Sequence, residues 1–435
     1  MTQTLKQLQN NELQGTRSLK LSEGLRHFPQ EIFQLEDTLE ILDLSNNQLT
    51  ALPPNFGRLK KLRILFCSGN LFTALPAVLA DCPLLDIVGF KANIIETVPP
   101  GSLNKNLRWL ILTDNRVGEL PPEIGNCSRM QKLMLAGNRL KHLPQQLSHC
   151  RNLGLLRISA NRLTALPGWL LTMTKLAWLA FSGNPFCIQP VLKPLTAIDW
   201  SQLRIDRVLG EGASGIIFKA HHRFEDQQHE IAIKIFKGAV TSDGLPEDEM
   251  NACIAAGNHL GLVTLLGQIN GHPENKKGLV MALIPPHYYN LGLPPSFESC
   301  TRDVFRADMR LTARQVLKIA GTMASVARHL HERGIMHSDL YAHNMLIDAE
   351  GNTLFGDFGA ACFYDKADEP LAAHLERMEV RAYGYLLDDL LGICPEAQTN
   401  RALLTLGTLR DACLADEILV RPSFQQIAAE LNRLI

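Results

Sequence analysis

The sequence predicts two domains: an N-terminal α/β solenoid of about eight short repeats, residues 1–195, and a C-terminal α+β domain, residues 196–435. Three observations carry this. One asparagine position recurs at a nearly constant spacing through the first half. Pro190 and Pro194 then mark a short, stiff connection. Beyond them, apolar runs of strand length are followed by a long stripe of helical period.

The asparagines are Asn47, Asn70, Asn93, Asn115, Asn138, Asn161 and Asn184, with steps of 23, 23, 22, 23, 23 and 23; Gly24 holds the same phase one repeat earlier. Leu39-Glu40-Ile41-Leu42-Asp43-Leu44-Ser45-Asn46-Asn47 has the L-x-x-L-x-L-x-x-N form. Pairs such as Leu52-Pro53, Leu75-Pro76 and Leu143-Pro144 follow. A unit this short cannot bury its apolar face alone, so neighbours must stack with the strand leucines inside.

Over Leu19 to Pro190 these motifs resemble leucine-rich repeat proteins, a family whose concave face is usually a binding surface. Strand alternation puts two columns of side chains on that face. One holds Ile41, Ile64, Ile87, Trp109, Lys132, Leu155 and Trp178; the other holds Asp43, Phe66, Gly89, Ile111, Met134, Arg157 and Ala180. The apolar content predicts a protein or peptide ligand at Ile41, Ile64, Phe66, Trp109, Ile111, Met134 and Trp178, the two tryptophans being anchors. That ligand is a separate protein or this chain's own second domain. Ordinary scatter on a sheet is the bland alternative.

The formal net charge of −1 argues against a general nucleic-acid or anionic-membrane binder. Met1 to Gly15 is polar, without the apolar core of a secretory signal. The longest apolar stretch, Trp169 to Phe181, is broken by Thr172, Thr174 and Lys175, so no membrane span is expected. A cytoplasmic protein is the expectation. Ten scattered cysteines include no C-x-x-C pair. Cys82, Cys127 and Cys150 recur at one repeat phase, which reads as buried filler in a reducing compartment. Cys187 has no near partner for a disulfide cap.

In the second half, His337-Ser338-Asp339-Leu340-Tyr341-Ala342-His343-Asn344 has the form His-x-Asp-Leu-x-x-x-Asn. An apolar run and Gly356-Asp357-Phe358-Gly359 follow. Phosphoryl transfer needs one carboxylate to orient an attacking hydroxyl, and an amide plus a second carboxylate to hold Mg²⁺. Asp339, Asn344 and Asp357 are those groups in chain order. Upstream, Gly210-Glu211-Gly212-Ala213-Ser214-Gly215-Ile216-Ile217 is a G-x-G-x-x-G-x-I loop. Glycines there let backbone amides approach phosphates. Ile231-Ala232-Ile233-Lys234-Ile235 then sets a lysine deep in an apolar strand, costly without an anionic partner.

Together these motifs resemble eukaryotic-type protein kinases from about Ile205 to Ile435, and the resemblance implies an α+β bilobal protein-kinase-like fold. It implies ATP and Mg²⁺ as cofactors and a protein substrate. Asp339 would be the catalytic base, with Asn344 and Asp357 as metal ligands. Gly210, Glu211, Gly212, Ala213, Ser214, Gly215, Ile217, Ala232, Lys234, Met281 and Leu283 would bind ATP. Lys234 would pair with a helix glutamate, Glu249 at fifteen residues on, with Glu247 in reserve. Backbone groups of Ala282 to Ile284 would meet adenine, the alternative being a plain core strand. Val316, Ile319, Ala320, Met323, Val326, Ala327 and Leu330 stripe one helix face ahead of the catalytic loop. His337 would be structural. Arg421-Pro422-Ser423-Phe424 resembles a signature of tyrosine-kinase-like kinases.

There are departures from the family. Ser338 replaces the arginine that normally binds an activation-loop phosphate, and Asp357 to Tyr385 contains no serine or threonine. Tyr341 and His343 replace the usual basic residue after Asp339. The A-P-E motif is missing, and Glu379 falls where an aspartate is usual. The expectation is a constitutively assembled Ser/Thr-directed protein kinase guided by its repeats, which the repeats' removal would leave able to hydrolyse ATP. A small-molecule phosphotransferase and a pseudokinase scaffold are the competing readings.

Overall fold

The computed structural model describes residues 3–188, 190, 192–224, 227–238 and 240–434. They form two compact units: Met1–Leu176 with Asn184–Phe186, and Ala177–Gly183 with Cys187–Ile435.

The first unit opens with helix α1 (Leu5–Gln9), started by a Thr4–Gln7 capping box. Seven short parallel strands follow: β1 (Ser18–Lys20), β2 (Ile41–Asp43), β3 (Ile64–Phe66), β4 (Ile87–Gly89), β5 (Trp109–Ile111), β6 (Lys132–Met134) and β7 (Leu155–Arg157). Neighbours pair in register, residue for residue, across every repeat. An eighth strand, β8 (Trp178–Ala180), falls in the second unit. Each central strand residue, such as Leu42, Leu65, Leu110 and Leu133, is fully buried. In six repeats a proline (Pro29, Pro76, Pro99, Pro121, Pro144, Pro167) in extended conformation starts a 3-10 turn on the return path.

The repeating asparagine has a physical cause. Asn70 Nδ2 donates to Leu44 O at 2.9 Å and Cys67 O at 3.0 Å, while its Oδ1 accepts from Leu49 N at 2.9 Å. Buried turns would otherwise leave these backbone groups unmet. Asn93, Asn115, Asn138 and Asn161 repeat the pattern. All ten cysteines are free. Cys82, Cys127 and Cys150 are buried fillers facing carbonyls of the preceding repeat, and burial raises their thiols to about 12, 11 and 12.

The face expected to meet a ligand is less open than the sequence suggests. Ile41, Phe66, Trp109 and Ile111 are half-buried, but Ile64, Met134 and Trp178 are buried and present no surface to a partner. Strands lie about 4.8 Å apart, so large side chains cover their neighbours. Phe66 lies over Gly89, where a Cβ would come 2.6 Å from the ring, and Lys132 sits 4.1 Å over Trp109. Trp178 is covered differently, as described below.

The second unit contains a six-stranded sheet: β9 (Ala197–Asp199), β10 (Leu203–Glu211), β11 (Gly215–Phe224), β12 (Gln227–Phe236), β13 (Leu265–Asn270) and β14 (Gly278–Ala282). Their spatial order is β10-β11-β12-β14-β13-β9, antiparallel except for β9 beside β13. Its core is Ile198, Ala220, Ile231, Ile233, Ile269 and Val280. Helix α2 (Pro246–Ala256) carries Pro in its first turn and stops at Gly257, whose φ of +64° suits glycine.

The remainder is mostly helical. Helix α3 (Ala313–His331) starts with a Thr312–Gln315 capping box and buries the whole stripe from Val316 to Leu330. Two small pairings, β15 (Tyr289–Asn290) with β17 (Met345–Ile347) and β18 (Thr353–Phe355), and β16 (Ile335–Met336) with β19 (Cys362–Phe363), frame the loops that follow α3. Helices α4 (Glu369–Gly392), α5 (Arg401–Cys413) and α6 (Phe424–Leu431) complete the unit. The Arg-Pro-Ser-Phe signature has a packing role: Ser423 caps α6, Phe424 is fully buried against His331 and Tyr383, and Arg421 donates to Ala415 O and Arg377 O. No helix among the described residues is long and apolar enough to cross a membrane.

Candidate active site

The strand pairs set the loops. Asp339 and Asn344 lie between β16 and β17, and Asp357 lies between β18 and β19. The β17–β18 hairpin therefore joins the two loops over a short path. Asn344 Nδ2 donates to Asp339 Oδ2 at 2.7 Å and to Asp339 O at 3.0 Å. That orientation ties the amide nitrogen to the loop and turns its oxygen elsewhere. Asp357 has a left-handed backbone, φ 56°, and its Oδ1 accepts from Gly359 N at 3.3 Å.

Lys234, on β12, reaches Glu249 on α2, and the lysine and glutamate side chains are 14% and 2% exposed. Burial pulls the lysine pKa down, but the charges of Glu249 and Asp357 outweigh it and raise it, so the ammonium persists. Of the two helix glutamates the sequence left open, Glu249 is the partner; Glu247 pairs with Lys277. Asp357 acts electrostatically on both Lys234 and Glu249, so the three charges share one neighbourhood.

The glycine-rich loop bends between β10 and β11. Gly215 must be glycine, because a Cβ would lie 2.6 Å from Ile235 O. Gly210 and Gly212 have open space around them. Glu211 accepts from Lys237 Nζ at 2.7 Å, Ala213 is exposed, and the Ser214 side chain works against the burial that raises the Glu249 carboxyl overall. Ile217 pairs in register with Lys234, and Ala232 with Met281. The amide of Ala282, expected to meet adenine, is already given to Thr264 O at 2.9 Å.

The catalytic-type loop is held from below by α4. Glu379, 1% exposed, accepts from Ser338 N at 2.6 Å and His337 N at 3.3 Å, and faces His331 Nε2 at 2.8 Å. These bonds hold Ser338 in the left-handed region, φ 66°, where a non-glycine residue is strained. His337 is buried and its pKa is lowered by that burial; its ring stacks on Phe355 at 4.0 Å and its Nε2 bonds Gly356 O at 3.1 Å.

Burial pushes the Glu379 carboxyl up, but His331, the charge of His337 and the Ser338 amide together leave it lowered. A depressed carboxylate stabilises the fold above its unfolded pKa, and that contribution disappears as pH falls through the folded value. Glu379→Gln should therefore cost about 2–3 kcal/mol near neutral pH and flatten the acid limb of stability, as urea unfolding at a series of pH values would read. Equal acid sensitivity in both proteins would sink this account.

Sequence reasoning missed several members of the site. Asp303 holds His343, with Oδ1 2.7 Å from Nδ1 and Oδ2 accepting the His343 amide at 3.1 Å. It stands 40 residues away, without a motif. Helix α4 starts at Glu369, capped by Asp368, so only Phe358–Asp368 separates it from Asp357. In that stretch and beyond, Tyr364 and Tyr383 are buried with their hydroxyls bonded to His331 and Ala320.

Among the described residues no three His, Cys, Asp or Glu side chains gather as a metal cluster. Mg²⁺ does not require one, since it keeps waters and takes one or two protein oxygens plus phosphates. The Asn344 amide oxygen and the Asp357 carboxylate suit that role, and bound metal would neutralise charge on a transferring phosphate.

Residues 203–386 match the protein kinase domain family, and residues 37–80 and 105–163 match leucine-rich repeat families. The chain joins leucine-rich repeats to a protein kinase domain. Similar proteins include a putative L-type lectin-domain containing receptor kinase of Arabidopsis thaliana, 31% identical over 42% of this chain and 27% of its own length. Cyclin-dependent kinase 20 of Danio rerio is 29% identical over 38% of this chain and 44% of its own. A probable serine/threonine-protein kinase of Dictyostelium discoideum is 24% identical over 54% of this chain and 28% of its own. The chain thus spans under half the length of each of these relatives.

Proposed function

We propose that the kinase domain transfers the γ-phosphate of ATP to serine or threonine hydroxyls of a protein, and that Asp339, Asn344, Asp357, Lys234 and Glu249 carry the reaction. The observation that bears most weight is the convergence of two bonded pairs, Asp339–Asn344 and Lys234–Glu249, with Asp357 in electrostatic reach of Lys234 and Glu249. A non-catalytic fold has no physical need to keep all five.

In this reading Asp339 orients the substrate hydroxyl and accepts its proton, while Lys234, fixed by Glu249, holds the α/β-phosphates. Gly210, Gly212 and Gly215 let the loop cover the phosphates, Ile217, Ala232 and Met281 wall the base, and Leu283 offers backbone groups to it. The half-buried Ile41, Phe66, Trp109 and Ile111 would receive a protein ligand and guide substrate choice. The serine/threonine assignment is supported by the name of the Dictyostelium discoideum relative.

The test is radiolabelled ATP with the purified chain and a protein panel. Label on serine and threonine is expected. Label on small molecules alone would favour a small-molecule phosphotransferase, a reading to which the short Phe358–Asp368 segment lends support because it leaves little platform for a peptide. ATP binding with no transfer would favour a pseudokinase scaffold.

A further inference from the structure

The kinase domain lacks the usual means of ordering its loops. Ser338 stands where a phosphate-binding arginine is usual, and no serine or threonine occurs from Asp357 to Tyr385. Yet backbone and side-chain bonds tie the loops around Asp339 and Asp357 in place. Two short stretches, Trp178–Ser182 and Leu192–Leu195, touch the loop of Asp339, the segment after Asp357 and the helix of Glu249.

Trp178 is 1% exposed and lies nearly parallel to Tyr341, at 4.4 Å and 7°, and to Tyr385, at 5.4 Å and 15°. Its Nε1 donates to Leu340 O at 3.3 Å, one residue beyond Asp339. Phe181 N lies 3.0 Å from Cys362 Sγ, on β19, just past Gly359. The Ser182 hydroxyl neighbours Asp248, the residue before Glu249, and opposes the effect of burial on its carboxyl. Leu192 and Leu195 pack on Met250 and Ile254 of α2, together with Phe236 and Leu279. The catalytic loop, the segment after Asp357 and the helix bearing Glu249 are thereby held by Trp178–Ser182 and Leu192–Leu195.

We propose that residues 178–182, together with 192–195, are a built-in activating strut, with Trp178 as the positioning residue that keeps Asp339 and Asn344 in their reactive geometry without loop phosphorylation. The stacked indole blocks rotation of Tyr341, and its N–H fixes the peptide that follows Asp339. Bonded and stacked neighbours leave a loop few alternative states, which lowers the barrier to reaching the productive one. The final repeat strand is therefore part of the enzyme rather than only part of a binding module. This inference rests on the phosphotransfer reading of the site.

The experiment uses the full chain and two readouts: steady-state phosphotransfer, and amide hydrogen exchange of residues 338–344. Trp178→Phe keeps the stack and loses the N–H; it should lower kcat about fivefold, the worth of one neutral hydrogen bond, with KM for ATP unchanged. Trp178→Ala should lower kcat about a hundredfold and raise exchange in 338–344 about tenfold. Trp169→Ala, in the 3-10 turn of the preceding repeat, should leave both readouts at wild-type values. A folded Trp178→Ala protein with wild-type kcat and protection overturns the strut. If that variant does not fold, Trp178→Phe decides, and wild-type kcat and protection there overturn it equally. If the wild-type chain transfers no phosphate, the phosphotransfer reading fails, and exchange in 338–344 alone judges the strut.

Discussion

Asp339→Asn should slow phosphotransfer about a thousandfold while leaving ATP affinity and the fold nearly unchanged. Asn344 Nδ2 donates to Asp339 Oδ2 at 2.7 Å and to the main-chain oxygen at 3.0 Å. An asparagine oxygen at 339 accepts the first of these as well, so the loop retains its shape. What disappears is the anion that draws the substrate hydroxyl into line and takes its proton. Initial rates from radiolabelled ATP, with a thermal melt beside them, make the measurement. Wild-type rates in this variant would remove Asp339 from the chemistry and with it the proposed mechanism.

Lys234→Met should lose both activity and stability. Glu249 is 2% exposed, and removing the ammonium leaves a buried carboxyl whose main cation is gone. Breaking one side of a buried pair costs about 3–5 kcal/mol, whereas replacing both sides with apolar groups of similar size is close to neutral. The double variant Lys234→Met/Glu249→Leu should therefore regain most of the unfolding free energy and none of the phosphotransfer. Urea unfolding of the two proteins separates the effects. A single variant that unfolds at the wild-type denaturant concentration would mean that the pair is not closed in solution.

The site shows which features a sequence can reveal. Asp339, Asn344, Asp357 and the glycine loop are spaced by short loops between strands, so their separations along the chain are direct consequences of geometry. Lys234 was legible because an ammonium in an apolar strand demands a partner. Its partner was less so: Glu247 and Glu249 sit two residues apart on one helix, and only the way α2 faces β12 selects between them. Asp303, which holds His343, had no local signal at all.

The repeat face shows the converse. Alternation correctly separated inward leucines from outward columns, but it could not say which outward side chains lie under a neighbour. Phe66 leans over Gly89, and Trp178, expected to be an open anchor, is enclosed by Tyr341 and Tyr385. The strand bearing Trp178 accordingly groups with the kinase unit, although its period belongs to the repeats. Truncation at residue 195, expected from sequence alone to spare ATP hydrolysis, would uncover those two tyrosines.

Repeat periodicity determined the solenoid, and the acidic and amide groups were named from the short motifs that carry the kinase resemblance, because each motif lies within a few residues of chain. The tertiary structure alone decided which glutamate meets Lys234, what seats His343 and what covers Trp178. Those contacts join residues from 15 to 207 positions apart, Lys234 to Glu249 and Trp178 to Tyr385, and depend on which faces of separate elements meet. No local pattern carries that information.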